Sequence, residues 1–386
     1  MKILISVCGE GFGHTTRCLA IGEELSKEHE VKFIAYGKSM EYIKRCNFEV
    51  FETYPEIKLT GYEGRFDIKG SIFNREHRPT EAIKRELKIV RRYKPDLIIV
   101  DCKYSTALIA KLLNIPFYIV TNQNYTRSQD SKRFIVYPVM RVLNMINKRA
   151  KGVIIPDLPM PYTVCEYNLT MLNNLHFVGP LIRYKVEDYW DYEEDDGYIL
   201  SVIGGFEYRY RILKLLNEIS RRRGIKVKMV CGSYKVAEKL KRIKAPNVEI
   251  IPFTTNMEDL IRRCSFIVCH GGHSTLMEAI SFGKPVITIP DLYHPEQENN
   301  SKKIGELKCG IALSHIDLED TLEWAIDEMI DNPVYSRNAK RLRELCKFYN
   351  GRKNIREIIK RFERENRSGG VASLLKLSKI TSVSSR

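Results

Sequence analysis

The chain has 386 residues, enough for two or three domains, and its 44% hydrophobic and 29% charged residues exclude a disordered or fibrous protein. A net charge of +15 asks for an anionic partner (nucleic acid, nucleotide, phospholipid head group or phosphorylated substrate), among which composition does not choose. No run approaches the roughly 18 apolar residues of a membrane span, no signal peptide is read at the N-terminus, and ten scattered cysteines without a CxxC pair suit a reduced, cytoplasmic protein.

From the N-terminus, strands are predicted at 2–8, 31–36, 48–53, 96–101, 116–121 and 153–155, with helices at 15–28, 39–46, 79–93, 103–114 and 134–149. Runs such as DLIIVD at 96–101 are apolar on both faces, as in a parallel sheet covered by helices. Residues 60–80 read as a long non-periodic loop, basic and aromatic (Tyr62, Arg65, Phe66, Lys69, Phe73, Arg75, His77, Arg78). Residues 127–151 carry seven basic side chains and one acid, Asp130, among many apolar ones. That stretch is either a core-packing helix with a solvated basic face or a patch for an anionic membrane surface.

The acidic, aromatic stretch Glu187 to Asp196 has no period, and the strand-to-glycine pattern restarts at Tyr198. Further strands are predicted at 198–203, 226–231, 248–252, 265–269 and 285–289, with helices at 208–223, 234–243, 256–263, 274–282, 296–308, 317–330, 334–347 and 353–365. The βα alternation implies an α/β fold with two Rossmann-like parallel-sheet domains, 1–180 and 197–350. A linker at 181–196 joins them, a C-terminal helix at 351–366 is expected to cross back to the first, and 367–386 is expected to be a weakly ordered tail.

Three motifs can carry chemistry. GEGFGHTTR at 9–17 joins a strand to a helix, and its glycines (Gly11 and Gly13 among them) let a ligand approach the helix start, with Thr15 and Arg17 following on the acceptor side. Its spacing is not G-x-G-x-x-G and the second strand ends without an acid, which argues against NAD or FAD; no P-loop is present. His14 can serve as general base, with a plain capping turn as the bland alternative. Asp101 closes a central strand and either orients His14 or only caps the next helix.

The third motif runs His270-Gly271-Gly272-His273-Ser274-Thr275, with Glu278 one turn on and Glu296-Gln297 opening a later helix. A buried strand entering a glycine-rich helix start is an anion site fit for a diphosphate. Ser274 and Thr275 add hydroxyls, Glu278 can take both hydroxyls of a ribose, and Glu296 and Gln297 can meet sugar hydroxyls. Two histidines with only two residues between them on a turn and no third ligand nearby make a poor metal site.

The stretch 270–300 resembles the donor-binding signature of GT-B glycosyltransferases, especially the peptidoglycan N-acetylglucosaminyltransferase and the UDP-glycosyltransferase superfamily. The resemblance implies that the two Rossmann-like domains face each other across a cleft. It implies that His270 binds the diphosphate, Glu278 the ribose and Gln297 the sugar, and that Gly204-Gly205 approach the diphosphate. Phe253, after the strand 248–252, would contact the base. His273 stands where the plant members have a tryptophan. The pair His14 and Asp101 resembles the catalytic base pair of the secondary-metabolite branch. No convincing Asp-x-Asp pair appears, which suits a metal-independent enzyme with no cofactor beyond the nucleotide sugar as substrate. The expected activity is transfer of a hexose or N-acetylhexosamine from a UDP-sugar to an unidentified acceptor hydroxyl, with inversion. A lipid-linked or cell-envelope acceptor, met on the inner membrane face, would suit the basic stretch. The alternatives are a GT-B-fold sugar-nucleotide epimerase and a non-catalytic nucleotide-sugar-binding subunit. No DNA- or RNA-binding motif is present, and nucleic acid is not an expected partner.

Overall fold

The computed structural model describes the chain apart from residues 10–11, 57–59, 63–64, 68–73, 126–132, 171, 173, 191–193, 204–206 and 382–386. In its first half, β1 (Lys2–Val7), α1 (Phe12–Leu25), β2 (Glu30–Ala35), α2 (Gly37–Arg45) and β3 (Val50–Glu52) alternate regularly. A small antiparallel hairpin follows, β4 (Thr60–Tyr62) with β5 (Arg65–Asp67), inside the stretch expected to be loop throughout. Then come α3 (Pro79–Tyr93), β6 (Leu97–Asp101), α4 (Tyr104–Leu112), β7 (Phe117–Val120), α5 (Arg133–Asn147), β8 (Gly152–Ile155) and β9 (Leu175–Phe177).

The second half holds β10 (Tyr198–Val202), α6 (Tyr210–Arg223), β11 (Lys226–Val230), α7 (Tyr234–Lys241), β12 (Val248–Ile251), α8 (Met257–Arg263), β13 (Phe266–Cys269) and α9 (His273–Ser281). It continues with β14 (Val286–Thr288), α10 (Pro295–Glu306), β15 (Gly310–Ala312), α11 (Leu318–Asp331), α12 (Val334–Phe348) and α13 (Gly351–Thr381). Two all-parallel sheets result, of order β3-β2-β1-β6-β7-β8-β9 and β12-β11-β10-β13-β14-β15. Central strands are buried on both faces because helices cover both: every residue of β6 and of β13 is buried. This is the GT-B architecture.

The halves are tied by the chain itself. Ile182 and Tyr184, just past the first domain, pack into the second core. Ile355, Ile359 and Phe362 of α13 return to the first core beside Ile3, Ile5 and Phe33. Burying each of these three contributes about 1.5–3 kcal/mol. Arg352, 7% exposed, clasps the crossing: its guanidinium donates to Glu23 at 2.8 Å and to the Arg183 carbonyl at 2.8 Å. The helix continues past 366 to Thr381, and no proline interrupts it. Among the described residues no helix is long and apolar enough to cross a membrane.

Candidate active site

Strand order reverses between β1 and β6 in the first sheet and between β10 and β13 in the second. Open α/β sheets bind ligands at such reversals, beyond the carboxyl ends of the strands. Parallel register sets Val7 beside Asp101 and Val202 beside Cys269, so the loops that follow emerge at these two points.

At the first reversal, α1 carries His14 and, one turn on, Arg17. His14 Nδ1 lies 2.8 Å from Asp101 Oδ1. Arg17 grips the same carboxylate with both arms of its fork, Nη2 donating to Oδ1 at 2.5 Å and Nε to Oδ2. The Cys18 thiol donates to Oδ2 at 3.2 Å. Asp101 is wholly buried and Arg17 is 3% exposed, whereas the His14 side chain keeps 26% of its surface, so the imidazole alone reaches out of the cluster. Burial alone would raise the Asp101 pKa, but Arg17 and His14 hold it far below the usual carboxylate range. Burial opposes a charged His14 ring. The Asp101 carboxylate outweighs this, with Arg17 pulling the other way, and the ring sits well above 6.5.

Thr15 and Arg17, expected on the acceptor side, both lie inward. Thr15 is wholly buried and shares a hydrogen bond of 2.6 Å with Ser39, and Arg17 is turned inward onto Asp101, because the first turn of α1 packs over the sheet. Gly11 lies outside the described residues, as do Lys69 and Phe73 of the long loop and Arg127, Asp130 and Lys132 of the basic stretch. Gly13 faces the second domain so closely that a Cβ there would overlap the Ser274 side chain.

At the second reversal, Gly271 turns the chain with φ of +77°, and a Cβ on it would stand 2.6 Å from Ser301 Oγ of α10. Helix α9 then starts without a side-chain cap. Its first internal bond runs from the Leu276 amide to the Gly272 carbonyl, so the preceding amides point out of the helix end. Ser274 and Thr275 are half-buried there. His270 is pushed down to about 3 by burial and by Arg209, so it is neutral, and its buried Nδ1 has no partner among the described residues. Burial lifts the Glu278 carboxyl to about 7, with Arg183 opposing. The Phe253 ring, 46% exposed, lies 6.3 Å from the ring of Phe12 at the start of α1, so the two halves meet there through aromatic rings. Gly204 and Gly205 lie outside the described residues.

Three residues of this motif sit differently from expectation. His273 is 4% exposed and its Nε2 is 3.1 Å from Asp157 Oδ2, so it belongs to the seam between the halves. Asp157 draws it in as one of several donors, with the amides of Leu158, Val164 and Cys165 and the Thr163 hydroxyl. Gln297 is 5% exposed and turned away from sugar-reading: its Oε1 accepts from the Asp291 amide at 2.9 Å, and Asp291 is itself locked to Arg209. Glu296 Oε1 accepts from Asn122 Nδ2 at 2.8 Å, across the seam.

Asn122, Asp157, Arg183 and Arg209 were not singled out from sequence. Asn122 and Asp157 had a readable signal, a polar residue just past the carboxyl end of a buried strand (β7 and β8). Among the described residues two clusters have the composition of metal sites, His14–Asp101–Cys102 and Asp157–Cys165–His273. Their donors fit a metal poorly. A guanidinium already occupies Asp101, Asp157 is saturated with N–H and O–H donors, and burial keeps the Cys165 thiol protonated.

Residues 1–195 match the family model described as Glycosyl transferase family 1, and residues 199–358 match the Glycosyltransferase family 28 C-terminal domain. A glycosyltransferase of Methanosarcina mazei, itself uncharacterized, is 36% identical over 373 residues, covering 94% of this chain and 98% of the relative. The UDP-N-acetylglucosamine–N-acetylmuramyl-(pentapeptide) pyrophosphoryl-undecaprenol N-acetylglucosamine transferase of Bacillus cytotoxicus is 24% identical over 363 residues, covering 88% and 93%. The crystal structure of the calicheamicin glycosyltransferase CalG4 superposes with a TM-score of 0.70 at 16% identity, covering 93% of this chain and 98% of that one.

Proposed function

We propose, from the premise that this chain belongs to the GT-B glycosyltransferases, that it moves a hexosyl or N-acetylhexosaminyl group from a UDP-sugar to an acceptor hydroxyl, without a metal and with inversion. His14 Nε2 takes the proton of the acceptor hydroxyl as its oxygen attacks the anomeric carbon. The bond to the nucleoside diphosphate breaks, and the diphosphate leaves with the bonding pair. The proton stays on the imidazole, where Asp101 stabilises the positive ring. The amides opening α9, with Ser274, Thr275 and the neutral His270, receive the negative charge that develops on the diphosphate. Glu278 holds the ribose and Phe253 lies against the base.

The observation that carries this reading is the approach of the two reversals. Gly13, next to the His14 base, lies against Ser274, the first-turn residue of the diphosphate helix. The start of α1 that carries His14 therefore abuts the start of α9. A uridine donor is favoured by the UDP-sugar named for the Bacillus cytotoxicus relative. The test is a thermal-shift panel of nucleotide sugars on the full chain, followed by assay of the hit for free nucleoside diphosphate and a glycosylated product. A donor at one hundred times its dissociation constant should add about 2.7 kcal/mol. No response to any nucleotide sugar overturns the reading, and an epimerised donor in place of a transfer product would favour the epimerase.

The acceptor-side domain also presents exposed apolar residues among basic ones. Leu108 and Leu112 of α4 and Val142 and Met145 of α5 are exposed beside Lys111, Arg141, Lys148 and Arg149. Such a surface suits an acceptor carried on anionic lipid. Co-sedimentation with anionic but not zwitterionic vesicles, reduced by Met145→Ser with Val142→Ser, is the expected result.

A further inference from the structure

We infer that Arg17 is a positioning residue for His14, anchored by Asn122, which is itself bonded to Glu296 of the second domain, and that this anchor keeps the base in its reactive form. The inference rests on His14 being the base. Its starting point is that His14 Nδ1 has two neighbours of opposite character: Asp101 Oδ1 at 2.8 Å and Arg17 Nη2 at 2.9 Å.

A guanidinium nitrogen only donates, and a carboxylate only accepts. A neutral ring with its hydrogen on Nδ1 donates to Asp101 and presents a lone pair at Nε2, ready to take a proton. A neutral ring with its hydrogen on Nε2 accepts from Arg17 at Nδ1 and has no lone pair left for the acceptor. The resting place of the guanidinium therefore decides which form prevails.

That place is fixed from outside the cluster. Nε and Nη2 of Arg17 lie along Asp101, and Nη1 donates to Asn122 Oδ1 at 3.0 Å. The other end of the same amide, Nδ2, donates to Glu296 Oε1 on α10 at 2.8 Å. Arg17 is 3% and Asn122 5% exposed, so water has little access to the bond between them. With the chain of bonds intact, the fork lies flat on Asp101 and leaves Asp101 as the better partner of Nδ1. Without the Asn122 amide, Nη1 loses its anchor, and the contact of Nη2 with Nδ1, 2.9 Å in this structure, can displace Asp101 and park the base.

The charged and titratable groups facing His14 are Arg17 and Cys18 of α1, Asp101 and Cys102 at the end of β6, and, one bond removed, Glu296 of α10. The test is histidine-labelled full-length protein, read by long-range nitrogen–proton NMR for the His14 tautomer, beside transfer kinetics. The hydrogen of neutral His14 should sit on Nδ1 in the native protein and move to Nε2 in Asn122→Ala. The kcat should drop about 10- to 100-fold, as for outer-shell positioning groups, with donor affinity within about threefold. Arg17→Gln, which cannot press a charge on the ring, should keep the hydrogen on Nδ1, raise the ring's titration midpoint, and make the added Asn122→Ala silent. Asn122→Ser serves if the alanine variant does not fold. A native tautomer and native kcat in the Asn122 variants overturn the inference, as does an Asn122→Ala effect that persists with Gln at 17. Full activity of His14→Ala would instead defeat the base reading itself, whatever the spectra show.

Discussion

Each half of the molecule buries an arginine–aspartate pair near the strand ends that face the other half, and each pair has a histidine nearby, yet the two histidines are driven in opposite directions. In the first half the His14 ring touches the carboxylate of its pair directly, and attraction to Asp101 overcomes burial. In the second half the carboxylate of Asp291 is taken by Arg209, and Gln297 lies on it as well, so burial and the Arg209 charge leave His270 neutral down to about pH 3. One arrangement yields a ring that stores a proton, the other a ring that stays uncharged beside a helix start. The contrast suits the proposed reaction, which asks for a proton acceptor on one wall and an anion cradle on the other.

The strongest way to break the contrast is to remove the first histidine. His14→Ala should lower kcat by about 100- to 10,000-fold while the nucleoside diphosphate still binds, as read by calorimetry. The pH profile sharpens this. The base is the neutral ring and its pKa is raised, so the rate should climb with pH through a midpoint above 6.5. Asp101→Asn removes the attraction that raises it and should move the midpoint down while weakening the base. The same shift acts on stability in the opposite sense. The His14–Asp101 attraction supports the fold fully below about pH 6.5 and fades as pH rises through the ring's raised value. A rate independent of His14, or falling with pH over this range, would contradict the assignment.

The first wall was more legible in the sequence than the second. GEGFGH and DLIIVD each end a buried strand, and a central parallel strand can deliver its last residue only to the ligand edge, so the meeting of His14 with Asp101 follows from topology. Arg17 reads as a helix residue open to the acceptor, because nothing local shows that Asp101 will call it inward from 84 positions away. The HGGH turn shows its glycines and its helix, but His273 and Gln297 follow tertiary demands set by Asp157 and Asp291, far off or round a turn. The continuation of α13 to Thr381 is hard to read from its serines, glycines and lysines, which have the composition of a tail.

A smaller effect is expected at the second wall. Glu278→Ala should weaken nucleoside diphosphate binding about 10- to 100-fold, because two ribose hydroxyls lose a charged acceptor, each bond to which contributes about 1.5–3 kcal/mol, with part recovered by water. The native carboxyl titrates near 7, above its usual 4.5, so the folded state holds the proton more tightly than the unfolded chain. Stability should therefore decline as pH rises from about 4.5 through 7, and Glu278→Gln should flatten that part of the melting-temperature profile. An unchanged slope would mean that the side chain is better solvated than its position on α9 implies.

The smallest effect separates family likeness from geometry. The signature assigns Gln297 to the sugar, but its amide oxygen holds the Asp291 amide at 2.9 Å and its nitrogen lies 3.4 Å from the Asp291 carboxylate. Gln297→Ala should then act on the frame and not on the substrate. Leaving one buried amide without its acceptor costs about 1–3 kcal/mol, a drop of a few degrees in melting temperature for a chain this long. The donor KM should move less than about threefold, since the Arg209 fork still holds Asp291 and keeps the turn before α10 in place. If instead KM rises tenfold or more at an unaltered melting temperature, the glutamine must swing off Asp291 to meet the sugar, and the second wall rearranges on binding.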